Sequence, residues 1–183
     1  MITNKTKLRE VLKYEKKLYN VSLAGYILSF FGVSEQNIIW RYQKRLRIWE
    51  YHYNSKHKLM SAIYHFLTVS LGYRYGFSIG INCIEKGLKI MHIGQIIINS
   101  KARIGEDCLI NSGVSIVSSR GEDSAPVIGS KCKLGIGCTI VGSIVLPNNT
   151  IVGAGSVVVK SFFEENITIA GVPAKIISRS GKF

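Results

Sequence analysis

The sequence predicts a mainly β fold, a solenoid of short parallel strands, preceded by an α-helical N-terminal region. Three observations carry this. Aliphatic residues recur every six positions at Ile98, Ile104, Ile110 and Ile116, and again at Ile128, Leu134, Ile140, Leu146, Val152 and Val158, with residue 122 alone off the series. Two positions earlier stands a compact residue, as at Ala102, Cys108, Val114, Cys132, Cys138, Thr150 and Ser156, with Ile144 the bulky exception. Before about residue 72 this period is missing and the apolar spacing is helical.

A period of six matches neither the 3.6-residue helix nor the two-residue strand over sixty positions. It matches a three-sided coil in which residues eighteen apart stack and each side sends one aliphatic into a common interior. The chain divides at 1–76, a basic helical region, and 77–183, the solenoid with a C-terminal cap.

In the first region, TKLREVLKYEKKLYN places Leu8, Val11, Leu12, Tyr14 and Leu18 near one helical face, and Ser34 stands as an N-cap before QNIIWRYQKRLRIWEYHYN. Three or four helices are expected. The formal charge is +13, and residues 1–76 hold thirteen Lys/Arg against four Asp/Glu. The mixture RYQKRLRIWEYHYNSKHK reads first as a helix with an aromatic inner face and second as an anionic membrane-surface contact. Nucleic acid comes last, since no recognised motif accompanies the charge. MITNKTKLRE is too charged for a secretory signal, and VSLAGYILSFFGV is shorter than a membrane span, so a cytoplasmic protein is expected. Cys83, Cys108, Cys132 and Cys138 lack CxxC spacing, which argues against zinc and any other metal.

SSRGEDSAP, residues 118–126, replaces one hexad with Gly, Ser, Pro and charges and reads as a loop protruding from a prism edge. Stepping back six from Ile98 lands on His92, so the period puts a histidine in the interior column where the regular coils begin. Imidazole, with an ordinary pKa near 6.5, suits general-base work at cellular pH. His52, His57 and His65 lie in the basic region without such a context.

ARIGEDCLI, PVIGSKCKLGIGCTIVGSIVLPNNTIVGAGSVVV and ITIAGVPAKII resemble the left-handed β-helix, hexapeptide-repeat acyltransferases, and within them the serine acetyltransferase branch. The resemblance spans about 77–177 and implies left-handed coils, a homotrimer with sites shared between subunits, and acetyl-CoA as donor. It implies His92 as the base that takes a proton from the acceptor hydroxyl. The acetyl-CoA slot would pass Ser118, Ser119, Ile136, Gly137, Ala154, Ala170 and Gly171, with Lys160 and Lys175 at the nucleotide phosphates. The 118–126 loop would overhang a neighbouring subunit's site.

Departures from the serine acetyltransferase pattern concern the acceptor. Met91 replaces the Asp before the histidine, Ala125 replaces a second histidine, and Phe77 or Ser78 stands where the orienting carboxylate is expected, leaving Glu85 as the nearest acid. GFSIGINCIEKGLKIMHIGQIIIN and FEENITIAGVPAKII resemble instead the serine-acetyltransferase-like proteins of capsule and O-antigen assembly. That implies a saccharide or lipid-linked saccharide acceptor, met by Tyr73, Tyr75, Phe77, Glu85, Met91, Asp123 and Ala125. Serine O-acetylation is the enzymatic alternative, a non-catalytic β-helix scaffold the alternative of another class.

Overall fold

The computed structural model describes residues 1–119 and 123–180. Helix α1 (Lys5–Lys16) starts where the Asn4 side chain accepts from Lys7 N at 2.8 Å and ends on Lys13 and Lys16, which suit its negative pole. Helix α2 (Leu23–Leu28) runs into a 3₁₀ turn (Ser29–Phe31). Helix α3 (Glu35–Asn54) follows Ser34, whose hydroxyl does not cap the helix as expected but accepts from Asn37 Nδ2 at 2.8 Å. Helix α4 (Lys58–Tyr75) stops at Gly76, whose left-handed φ of 84° a residue with a Cβ would adopt only under strain.

Fourteen short strands follow among the described residues: β1 (Phe77–Ile79), β2 (Lys89–Ile90), β3 (Ile96–Ile98), β4 (Arg103–Ile104), β5 (Leu109–Ile110), β6 (Ser115–Val117), β7 (Val127–Ile128), β8 (Lys133–Leu134), β9 (Thr139–Val141), β10 (Val145–Leu146), β11 (Ile151–Val152), β12 (Val157–Val158), β13 (Thr168–Gly171) and β14 (Ala174–Ser178). They form three parallel faces, β1-β3-β6-β9-β12, β4-β7-β10 and β2-β5-β8-β11-β13, the last closed by antiparallel β14. Ile79, Ile98, Ile116, Ile140 and Val158 stack inside the first face. Ile84, Ile104, Ile128 and Leu146 stack inside the second, and Ile90, Ile110, Leu134, Val152 and Ile169 inside the third. All are buried, at roughly 1.5–3 kcal/mol per aliphatic.

The off-series residue has a simple cause. Ile98 pairs with Ile116, eighteen on, but Ile116 pairs with Ile140, twenty-four on, so six residues are extruded between the first and second faces. Residues 120–122 of the predicted loop lie outside those described, as do 181–183 of the solenoid region.

The helices close the first coil. That coil has no strand beneath it, and an open strand edge presents unpaired N–H and C=O groups. Side chains of the N-terminal region take up eight of them. Asn82 N, Gly87 N and Ile93 N donate to Glu50, Glu15 and Glu35 at 2.9, 3.1 and 2.9 Å, and Ile90 N to the Tyr19 hydroxyl at 2.9 Å. Arg47 donates to Ile84 O and Glu85 O, Gln43 to Leu88 O and Gln36 to Met91 O, at 2.9, 2.7, 2.8 and 3.3 Å. Arg47 is buried between Glu15 at 2.7 Å and Glu50 at 2.9 Å. Burial disfavours its charge, but the two carboxylates outweigh this and hold its pKa above the ordinary arginine value. The RYQKRLRIWEYHYN segment of α3 is therefore an inner one, with Tyr42, Leu46 and Arg47 buried.

Candidate active site

His92 does not occupy the interior column. Ile90 does, eight residues before Ile98 instead of six, and the two extra residues swing the chain outward between β2 and β3. His92 thus projects from the edge joining the third face to the first, 54% exposed. The period was extended two residues too far, and the corrected position places the imidazole within reach of a substrate.

Residues farther along the chain turn at this same edge. Between β5 and β6 it carries Ser112 and Gly113, between β8 and β9 Ile136 and Gly137, and between β11 and β12 Ala154 and Gly155. Gly113 N donates to Gln95 O, Gly137 N to Ser112 O and Gly155 N to Ile136 O, at 2.7, 3.0 and 2.8 Å, stacking the turns. All three glycines have positive φ, and a Cβ built on Gly137 or Gly155 meets nothing within 4 Å. Ala170 continues the row, its Cβ beside Gly153, and Gly171 N donates to Ser156 Oγ at 3.2 Å. A track of tight turns, small-sided except at exposed Ile136, therefore leads from His92 to the hairpin β13–β14. Lys175, paired with Ala170 in that hairpin, lies at the end of the track, whereas Lys160, two residues after Val158 of β12, stands at the edge joining the first face to the second, as Ser118 does; with Glu164 the two lysines line a surface hollow of about 360 Å³ at the last coil.

The remaining expected residues lie elsewhere. Ser118 and Ser119 sit half-buried at the edge joining the first face to the second, where Asn99 Nδ2 donates to Ser118 Oγ at 3.1 Å and exposed Asp123 pairs with Lys101. Glu85 stands at the third edge, between the second and third faces, and cannot orient His92 within one subunit. Phe77 is buried against the Tyr42 ring, centroids 4.8 Å apart, and Ala125 is buried in the core, so neither offers its side chain to an acceptor as expected. Tyr75 is half-buried below Arg74, and Met91 is half-buried with its carbonyl held by Gln36.

The carboxylate beside His92 comes from Glu35, in the first turn of α3. Its Oε2 lies 3.4 Å from His92 Nδ1 while Oε1 accepts from Ile93 N at 2.9 Å. Sequence reasoning missed it across 57 residues. Its one local signal was an acid opening a helix just after Ser34.

No protein-family model matches the chain. It is 30% identical over 148 residues to a serine acetyltransferase of Synechococcus elongatus, covering 78% of this chain and 53% of that enzyme. A 58-residue stretch is 47% identical to WbbJ of Escherichia coli K12, a protein named for O-acetyl transfer in lipopolysaccharide biosynthesis, covering 32% of this chain and 29% of that one. The chain thus spans about half the length of the curated relatives it matches, or less. Among solved structures it superposes on a Brucella abortus serine acetyltransferase in complex with coenzyme A, with a TM-score of 0.72 at 19% identity, over 94% of this chain and 68% of that one. The fold is the left-handed β-helix with N-terminal helices, as expected.

Proposed function

We propose that the protein is an acetyl-CoA-dependent O-acetyltransferase with His92 as general base. The observation that carries this is the edge itself, a reachable imidazole at the head of a track of stacked turns that ends at the hairpin bearing Lys175. In this reading the thioester lies along the track with its phosphates at Lys175, and Lys160 reaches the same hollow from the neighbouring edge. A neutral His92 nitrogen removes the acceptor hydroxyl's proton as the oxygen attacks the thioester carbon, and CoA leaves as thiol. The coenzyme A bound by the Brucella neighbour supports the donor.

For the acceptor, the similar enzymes favour L-serine, the sequence-level alternative, over a polysaccharide. One observation favours a saccharide: Met91, next to the base, offers an apolar side chain where an ammonium or carboxylate would need a polar one. We further propose a homotrimer, because His92 and the described residues of the 118–126 segment, such as Ser118 and Asp123, stand on different edges of one prism and meet only if copies pack side by side. The test offers acetyl-CoA with L-serine and with an oligosaccharide or sugar-lipid, following thiol release and product mass. His92→Ala is expected to keep its fold and lose ~10²–10⁴-fold in turnover. Near-full activity in that variant removes the base assignment, and product from one acceptor alone settles between serine and saccharide. Light scattering is expected to give about three times 20.3 kDa.

The proposed membrane contact moves from α3 to its neighbours. Leu23, Ile27, Phe30, Phe31 and Val33 are exposed, and no acid falls between Glu15 and Glu35, while the Arg41 guanidinium lies 4.4 Å from the Phe30 ring centroid. Apolar side chains beside cations suit an anionic lipid surface. No described helix is long and apolar enough to cross a bilayer. Flotation with anionic but not zwitterionic vesicles is expected, weakened by Phe31→Ser. Recovery free of both vesicle types removes this reading.

A further inference from the structure

Three contacts hold the segment around His92, and all come from two successive residues at the start of α3. Gln36 Nε2 donates to Met91 O at 3.3 Å, on one side of the histidine, and Ile93 N donates to Glu35 Oε1 at 2.9 Å, on the other. The second oxygen of Glu35 lies 3.4 Å from His92 Nδ1. The helix presenting them is fixed, with Ile38, Ile39 and Tyr42 buried one and two turns on. A carboxylate at the first turn is also favoured by the helix dipole. Among the described residues no other acid is paired with His92, and Glu85 stands at another edge.

We propose that Glu35 is the positioning residue of this site. Its carboxylate accepts the Nδ1 proton, which fixes the imidazole in the Nδ1–H tautomer and leaves Nε2 free to take the acceptor's proton. Glu35 also balances the imidazolium formed when that proton arrives. The orienting acid is thereby supplied by the helical region and not by the β-helix. The inference rests on His92 being the base, and the test separates the two.

Glu35→Gln keeps an oxygen for Ile93 N–H, which turns its amide NH₂ toward His92. An amide donor facing Nδ1 demands the opposite tautomer, with the proton on Nε2. ¹⁵N-labelled histidine in the full-length protein reports the tautomer directly, the His92 signals being those lost in His92→Ala. Expected are Nδ1–H in the native protein and Nε2–H in Glu35→Gln. With whichever acceptor turns over, kcat should fall ~10²–10⁴-fold as for a base in the wrong tautomer, with little change in KM for acetyl-CoA and partial recovery in Glu35→Asp. An unchanged tautomer in Glu35→Gln, or turnover within twofold of native, overturns the proposal. Activity surviving in His92→Ala overturns the base assignment instead, and the ring signals still decide whether Glu35 holds the imidazole.

Discussion

The two ends of the prism are closed by different means. At the first coil, eight backbone groups are met by side chains reaching over from α1, α3 and the segment between α1 and α2, with a buried Glu15–Arg47–Glu50 cluster at the centre. At the last coil the chain folds back as the hairpin β13–β14, whose backbone supplies the pairing, while Phe162 and Ile167 seal the interior. A backbone cap is sequence-tolerant and chemically mute. A side-chain cap must be specified residue by residue, and the same side chains are then available for a second task, as Glu35 is at His92.

This contrast can be broken from either end. The largest effect is expected for Arg47→Ala, which leaves two carboxylates and two carbonyls buried without their donor. Such a loss costs about 3–5 kcal/mol, read as a lower urea midpoint, and failure to fold at 37 °C also fits. A loss below about 1 kcal/mol would mean that the first coil does not depend on its polar cap. Tyr19→Phe is milder, removing the hydroxyl that donates to Gln43 Oε1 at 2.7 Å and accepts from Ile90 N. About 1–3 kcal/mol is expected for the buried groups left unpaired, with exchange of the Ile90 amide accelerated first. At the far end, Ile176→Ala in the hairpin trims a half-buried side chain opposite Ile169 and should cost only about 1 kcal/mol. A larger loss there than for Tyr19→Phe would reverse the comparison.

The interior columns were legible because each hexad repeats the same demand, one aliphatic inward and one compact residue two before it. Where the repeat is irregular the reading drifted. In KIMHIGQIII, Ile90, Ile93, Ile96, Ile97 and Ile98 all invite a column position, and nothing local marks the two residues that bulge out and carry His92 with them. Phe77 could have been placed in the core, since it stands two before Ile79 just as Ala102 stands two before Ile104. The cap was illegible for another reason. Its contacts join residues far apart in sequence, such as Tyr19 to Ile90 and Glu35 to His92, and single polar residues on helices give no period to detect.

The stacked turns at Gly113, Gly137 and Gly155 also act as a ruler. Each coil advances the prism by the spacing of adjacent strands, about 4.8 Å. From the coil of His92 to that of Gly171 there are four such steps, roughly 19 Å by the same spacing. The distance along this edge between His92 and the hairpin is therefore set by the number of coils and not by any one contact. Inserting eighteen residues would lengthen that distance by one graduation, and deleting eighteen would shorten it, with every local interaction left intact.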